Sequence, residues 1–321
     1  MPFECGLRKG NGWHVESASG LHIVAVVPVF RPPADLLERV RALRTQVDLV
    51  VLVDDGSSTL PFSDVDDSGI AQVALPTNVG IAAALNTGMA IAVRDGATHI
   101  LTLDQDSTVP AGYVERLRAA AGADSSSLTV AVPASAGGAA VLRDLHGDSA
   151  PFDPIQSGQL LTADVWRRVG PFDESLFIDA VDSDFWFRAL EAGISFVVAD
   201  DAHIEHGLGE LRPIRFFGRH LVLGGRARHV LYHSPFRTYY MVRNSHVMHR
   251  RYMRGHRARI LKRDWKMFEM VFGCLVLSDD RALQWRAIRT GFRDARSGSL
   301  GKIPADVIAS LAPRPAGADH S

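Results

Sequence analysis

A chain of 321 residues, 46% hydrophobic and 22% charged, is too apolar to stay disordered and long enough for one large domain with an extension, or for two domains. Its two cysteines, Cys5 and Cys274, lie in unrelated contexts, which excludes a disulfide framework and a cysteine-based zinc site, and no run approaches the ~20 apolar residues of a bilayer span, so a reducing cytoplasm is the expectation. The formal charge of −1 conceals an asymmetry: from Leu211 to Arg263 there are 13 Arg, one Lys and no acidic residue, so the rest is acidic overall.

Residues 1–20 read as an N-terminal tail. After them, "HIVAVVPVF" (22–30) and "VDLVVLVDDGSS" (47–58) are β-branched runs ending in turn residues, and "PADLLERVRALRTQ" (33–46) between them has helical periodicity. That is a β-α-β unit. A third run, "IAQVALP" (70–76), leads into the Ala-rich helical stretch "TNVGIAAALNTGMAIAVRDG" (77–96) and then "HILTLDQDS" (99–107). Alternating strands and helices predict an α/β fold with a mostly parallel central sheet flanked by helices, and ligands bound beyond the carboxyl ends of its strands.

Asp54, Asp55, Asp104 and Asp106 all fall at such ends. In an extended segment, side chains at i and i+2 share a face roughly 7 Å apart, so Asp104 and Asp106 reach toward one ligand while Gln105 points away. Two readings stand for this pair: a turn or helix cap, or a site for Mg²⁺ or Mn²⁺, which prefers a few carboxylate oxygens plus substrate phosphates.

The stretch 154–209 predicts a helix opened by Thr162, a Gly-Pro-Phe-Asp turn, and a second helix over about 181–192 with Val181, Phe185 and Ala189 as its core stripe. Asp184 and Arg188 read as a surface i, i+4 pair. Asp182, in the first turn, is either an anion favoured by the helix dipole or a general base at a cleft. Residues 211–305 read as a basic, mainly helical extension, whose charge is either a solvated face or a site for an anionic partner such as phosphate, anionic lipid or nucleic acid. Residues 306–321 read as a disordered tail.

The pieces "VVPVF", "VDDGS", "NVGIAAALNTG", "LTLDQDS", "GPFDESLFIDAVDSDFWFRA", "HGLG" and "HSPFRTYYMVRN", in that order over about residues 21–250, resemble the family-2 glycosyltransferases of the GT-A fold, and more narrowly the bacterial rhamnosyltransferases. The resemblance implies a nucleotide-sugar-binding and catalytic domain over 21–210. Within it, Pro28, Phe30 and Asp55 would contact the nucleobase, Asp55 accepting from the pyrimidine imide N–H. Asn78 and Gly80 would lie near the donor's ribose and phosphates. Asp106 would bind the metal, Asp104 would contact the sugar-nucleotide or supplement the metal, and His206 would be a metal ligand or else a phosphate or packing histidine.

Asp182 matches the family's base, with Asp179 and Asp184 as alternatives, and the family's commoner Glu-Asp is here Val181-Asp182. Ser157 and Gly158 resemble the segment lining the acceptor side, or form a simple turn. His233, Arg237, Tyr239, Tyr240, Arg243 and Asn244 form the C-terminal signature, with Arg237 and Arg243 as candidate phosphate clamps and the tyrosines either stacked on a sugar or packed in a core.

The implied activity is metal-dependent, inverting transfer of L-rhamnose from dTDP-L-rhamnose to a glycan or lipid-linked acceptor, with Mg²⁺ or Mn²⁺. The implied place is the cytoplasm, at the inner face of the inner membrane, through peripheral contact of the basic block with anionic headgroups. A UDP-sugar donor fits the same residues. A nucleic-acid-binding module would need a helix-turn-helix, RNA-recognition or zinc signature and would leave the acidic rim unexplained, so no nucleic acid is expected.

Overall fold

The computed structural model describes residues 20–57, 69–122, 128–144, 150–205 and 229–313, with short pieces between 207 and 227. The expected N-terminal tail lies outside this description except for Gly20. Strands β1 (Ile23–Val29), β2 (Leu49–Asp54), β3 (Ile70–Ala74) and β4 (His99–Thr102) run parallel in the order β3-β2-β1-β4. Every residue of β1, β2 and β4 is buried. Strands covered on both faces read as unbroken apolar runs, which is how these appear in the sequence.

Alternate residues of β1 feed two cores. Val24 and Val26 face the layer that includes α2 (Ile81–Arg94), while Ala25, Val27 and Val29 face α1 (Leu36–Arg44) and α3 (Tyr113–Ala121). Beyond β4 the sheet turns mixed. β5 (Thr129–Ala136) and β6 (Ala139–Ala140) form a hairpin, β7 (Gln159–Thr162) lies antiparallel between β4 and β5, and β8 (Ser195–Ile204) pairs parallel with β5.

Thr162 caps α4 (Ala163–Val169), its Oγ1 accepting from Val165 N at 3.2 Å. In α5 (Val181–Glu191), Val181, Phe185 and Ala189 are buried as their spacing predicts. Asp184 departs from expectation: it is 1% exposed and accepts from Arg188, Arg251 and Tyr252 Oη. It is a buried anchor between α5 and the helix carrying Arg251, where losing one partner would strand a buried charge.

The C-terminal region begins in strands rather than helix, since Leu211–Pro213 pairs antiparallel with His229–Leu231. Four helices follow: α6 (Pro235–Tyr252), α7 (Arg257–Leu277), α8 (Arg281–Ser297) and α9 (Ala305–Leu311). α9 occupies the start of the stretch expected to be a tail, because Leu311 is buried in a cluster with Tyr239, Tyr240 and Ile303. α7 and α8 both pack against α6 and touch each other.

Candidate active site

Parallel register sets Val29 level with Asp54 and Val26 level with Thr102, so β1, β2 and β4 end on one rim. Asp54 is buried there and accepts from Ser57 N at 3.1 Å, which closes the turn after β2. Asp55 is buried too, and its carboxylate accepts from Val79 N at 2.6 Å, Gly80 N at 2.9 Å and Asn78 Nδ2 at 3.0 Å. Burial pushes its pKa up, against the pull of those two amides. The anion at the mouth of α2 is therefore Asp55 itself. Asn78 and Gly80 spend these donors on Asp55, not on a donor phosphate, and Asp55 holds the 78–80 loop in addition to any contact with a base.

Gly80 has φ +100°, and a Cβ there would stand 2.5 Å from Phe177 O. Gly80→Ala is expected to destabilise the fold by about 2–3 kcal/mol, through backbone strain and overpacking together, as a lower urea midpoint. Pro28 is buried inside β1 opposite Val53. Phe30, by contrast, is 38% exposed at the rim. Its N–H donates to Gln105 Oε1 and its carbonyl accepts from Gln105 Nε2, both at 3.0 Å.

Gln105 is thus a clasp, because β4 stops at Thr102 and residues 104–107 form a turn closed by Ser107 N donating to Asp104 O at 3.1 Å. Side-chain direction around Asp104 and Asp106 follows from that turn and not from extended-strand alternation. Ser157 Oγ accepts from Asp104 N at 2.9 Å and lies 2.8 Å from Ser107 Oγ, while Gln156 Nε2 donates to Asp104 Oδ1. Ser157, fully buried, therefore buttresses the Asp104 turn rather than lining an acceptor groove. Gly158 is a tight backbone position at φ +86°, with a would-be Cβ 2.5 Å from Tyr113 Oη. Arg39 donates to Asp106 O at 2.7 Å, and a Cβ on Gly207 would stand 2.7 Å from Asp106 Oδ2. His206 lies outside the described residues.

Across from this turn stands the loop leading into α5. Phe177, Asp179 and Ala180 all have positive φ, at 67°, 62° and 64°. Each such non-glycine residue costs ~1 kcal/mol or more, so something must hold them. Asn244 Nδ2 lies 3.0 Å from Leu176 O, 2.8 Å from Ile178 O and 2.8 Å from Asp179 O. Arg243 donates to Leu176 O at 2.9 Å and Gly301 O at 2.7 Å, with its guanidinium 4.6 Å above the Tyr240 ring. At 1% exposure Arg243 is a structural fork and not a phosphate clamp, and the buried Tyr239 and Tyr240 are core aromatics.

Arg237, by contrast, is not buried. It pairs with Asp179 at 3.1 Å with its side chain half exposed, and Asp179 foremost, then Asp104 and Asp182, keep it charged. Asp182 Oδ1 accepts from Ser183 N at 2.9 Å. Burial first, and then the Asp153 carboxylate, push Asp182 up to about 7, against that amide and Arg263. Burial and Arg237 hold His233 below its ordinary value.

Asp153 Oδ1, Gln156 Oε1, Asp179 Oδ2 and His233 Nε2 are buried without a protein partner. Buried polar atoms are nearly always hydrogen-bonded, so four orphans tied to Asp104, Asp182 and Arg237 mark a site that completes itself with a polar ligand. Asp153 and Gln156 were not singled out in the sequence reading, and Arg263 entered it only as the end of the basic block. The signal for Asp153 was faint, an Asp before Pro154 that adopts φ +49°.

Among the described residues no group of three His, Cys, Asp or Glu is placed to hold a metal by itself. Asp104 and Asp106 on one turn nevertheless suit Mg²⁺ or Mn²⁺, which take one or two carboxylates and fill the remaining positions with phosphate and water.

The profile of "Glycosyl transferase family 2" matches residues 24–169. The chain is 27% identical over 250 residues to the dTDP-rhamnosyl transferase RfbF of Shigella flexneri, covering 72% of this chain and 80% of the relative. Among solved structures, it resembles S. aureus TarS 1–349 with a TM-score of 0.57 at 14% identity, over 90% of this chain and 83% of that one. The same S. aureus protein in complex with UDP-GlcNAc matches with a TM-score of 0.56 at 17% identity, over 90% and 84%. With the sheet order, the acidic rim and this profile in agreement, residues 24–169 match glycosyl transferase family 2 and the chain is a glycosyltransferase of the GT-A fold.

Proposed function

We propose that the protein transfers L-rhamnose from dTDP-L-rhamnose to a hydroxyl of a glycan or lipid-linked acceptor, with inversion and with Mg²⁺ or Mn²⁺, in the cytoplasm. The observation that carries the chemistry is that Asp104, on the turn it shares with Asp106, lies with Asp179 and Asp182 within electrostatic reach of Arg237. The choice of sugar rests on the similarity to the Shigella rhamnosyl transferase.

Phe30 offers an exposed ring to the nucleobase. Asp104 and Asp106 would hold the cation, and the cation supplies charge neutralisation of the departing diphosphate. Arg237 adds a fixed positive charge on the same side. Asp182 takes the proton from the acceptor hydroxyl as that oxygen bonds to the anomeric carbon and the carbon–oxygen bond to the nucleoside diphosphate breaks. Against Asp184 as the base stand its hydrogen bonds from Arg188, Arg251 and Tyr252, and Asp179 is engaged by Arg237. Among the described residues Asp182 accepts only from its own helix's Ser183 amide, and burial and Asp153 push it up to about 7, close to where a general base works best.

Release of nucleoside diphosphate from a panel of donors, with and without Mn²⁺ or Mg²⁺, tests the proposal. Metal-dependent turnover of dTDP-L-rhamnose is expected, with Asp106→Ala slower by about 10²-fold or more. Turnover of a UDP-sugar alone would overturn the rhamnose assignment, and metal-independent turnover would overturn the role of Asp104 and Asp106.

A further inference from the structure

The outward faces of α7 and α8 carry groups for which sugar transfer has no use. On α7, Leu261, Trp265, Phe268, Phe272 and Val276 are exposed, and their three- and four-residue spacing sets them on one ridge. Trp265 to Phe268 and Phe268 to Phe272 are ring neighbours, with centroids 5.7 and 5.5 Å apart. The ridge runs ~22 Å at the helical rise. Ile260, Arg263 and Cys274 are the residues α7 buries, and helical spacing puts the aromatic ridge on the opposite side of the helix.

On the neighbouring α8, Trp285 and Phe292 are 52% and 48% exposed. They are interleaved with Arg281, Arg286, Arg289, Arg293 and Arg296, all at exposed positions. The acidic residue of α8, Asp294, is buried, so that face presents no carboxylate.

We propose that this surface docks the protein on an anionic lipid bilayer, with the α7 aromatics in the headgroup boundary and the α8 arginines on lipid phosphates. Aromatic and apolar residues on one face, arginines beside them and low overall hydrophobicity are what an in-plane helix needs. No helix among the described residues is long and apolar enough to cross a membrane, so the contact is peripheral. Charge selects the occupant. Two copies meeting through this surface would oppose arginine to arginine, whereas anionic headgroups are complementary to it.

The same helix reaches the catalytic cleft, since the buried Arg263 donates to Ser183 Oγ at 3.0 Å, one residue from Asp182. Docking therefore holds the cleft about one helix diameter, ~10–12 Å, from the lipid surface. An acceptor hydroxyl carried on a lipid-linked glycan is within reach at that height. The inference goes beyond the choice of donor and stands without it.

Co-sedimentation with phosphatidylcholine vesicles, with and without phosphatidylglycerol, tests it at low and high salt. Binding to the anionic vesicles at low salt is expected, with loss at high salt. The triple variant Trp265→Ser, Phe268→Ser, Phe272→Ser is expected to bind about tenfold more weakly or worse. Arg289→Gln with Arg296→Gln is expected to weaken binding about tenfold at low salt and flatten the salt response. All five positions are exposed, and circular dichroism checks the fold. Tryptophan emission gives a second readout, a blue shift on anionic vesicles that Trp265→Phe diminishes. No binding at low salt, or unchanged binding by the triple variant, overturns the proposal. So does a dimer in sedimentation equilibrium that the triple variant dissociates while no vesicle is bound, which would make the ridge an interface between copies.

Discussion

Asp182→Asn is expected to lower turnover by ~10²–10⁴-fold, the range in which a positioned general base contributes. The carboxylate must be ionised to accept a proton, and it is pushed up to about 7 by burial and by Asp153. In the wild type, kcat/KM is therefore expected to rise about tenfold per pH unit below about 7 and to level above it, provided chemistry limits the rate. The residual rate of the variant should lose that limb. A limb that persists in Asp182→Asn would assign the base elsewhere.

Stability should move the opposite way. The folded state binds this proton more tightly than the unfolded chain, so the stability contributed by this group is lost as pH rises from about 4 through about 7. Asparagine carries no such cost. Asp182→Asn is expected to be more stable than wild type by ~1–3 kcal/mol at pH 8, with the gain shrinking toward pH 4, as followed by urea unfolding across pH.

The second large effect concerns a residue that touches no substrate. Asn244→Ala removes the donors shared by the carbonyls of Leu176, Ile178 and Asp179. Leu176 O keeps Arg243 and Ile178 N as donors, but a buried acceptor that loses its partner, as at Ile178 and Asp179, costs ~1–3 kcal/mol, and the positive-φ residues beside them lose their restraint. A loss of about 2–4 kcal/mol in unfolding free energy is expected, together with a fall in kcat from displacement of Asp179 and Asp182. Arg243→Lys should act in the same direction, because an ammonium does not reproduce the fork that spans Leu176 O and Gly301 O. Urea titration and steady-state rates on the same preparations separate the two effects, and unaltered kcat in a folded Asn244→Ala would show that the loop keeps its shape without the cradle.

The parallel half of the sheet was legible because β1, β2 and β4 are buried on both faces and write that burial as apolar runs. Period and capping likewise placed α4 and α5. What the sequence concealed were side chains whose partners lie far along the chain. Arg243 looked like a phosphate ligand because arginine suits either job, and only its distance to Leu176 and Gly301 decides between them. Asp184 looked like a helix-surface charge until Arg251 and Tyr252 arrived from another helix. The strands between 211 and 231 were missed because basic composition says nothing of period.

The clamp on the 176–180 segment has a bearing on inheritance. The stretch matched by the family profile ends at Val169, before Asp179 and Asp182, and the groups that pin those residues come from Arg243 and Asn244, with Gly301 O as a further contact. On the proposed reading, the carboxylates that hold the cation and the base that activates the acceptor are written in separate stretches of the gene, and Arg237 serves the donor from the second of them. A swap of the acceptor half would have to move the 176–180 segment and α6 as one block.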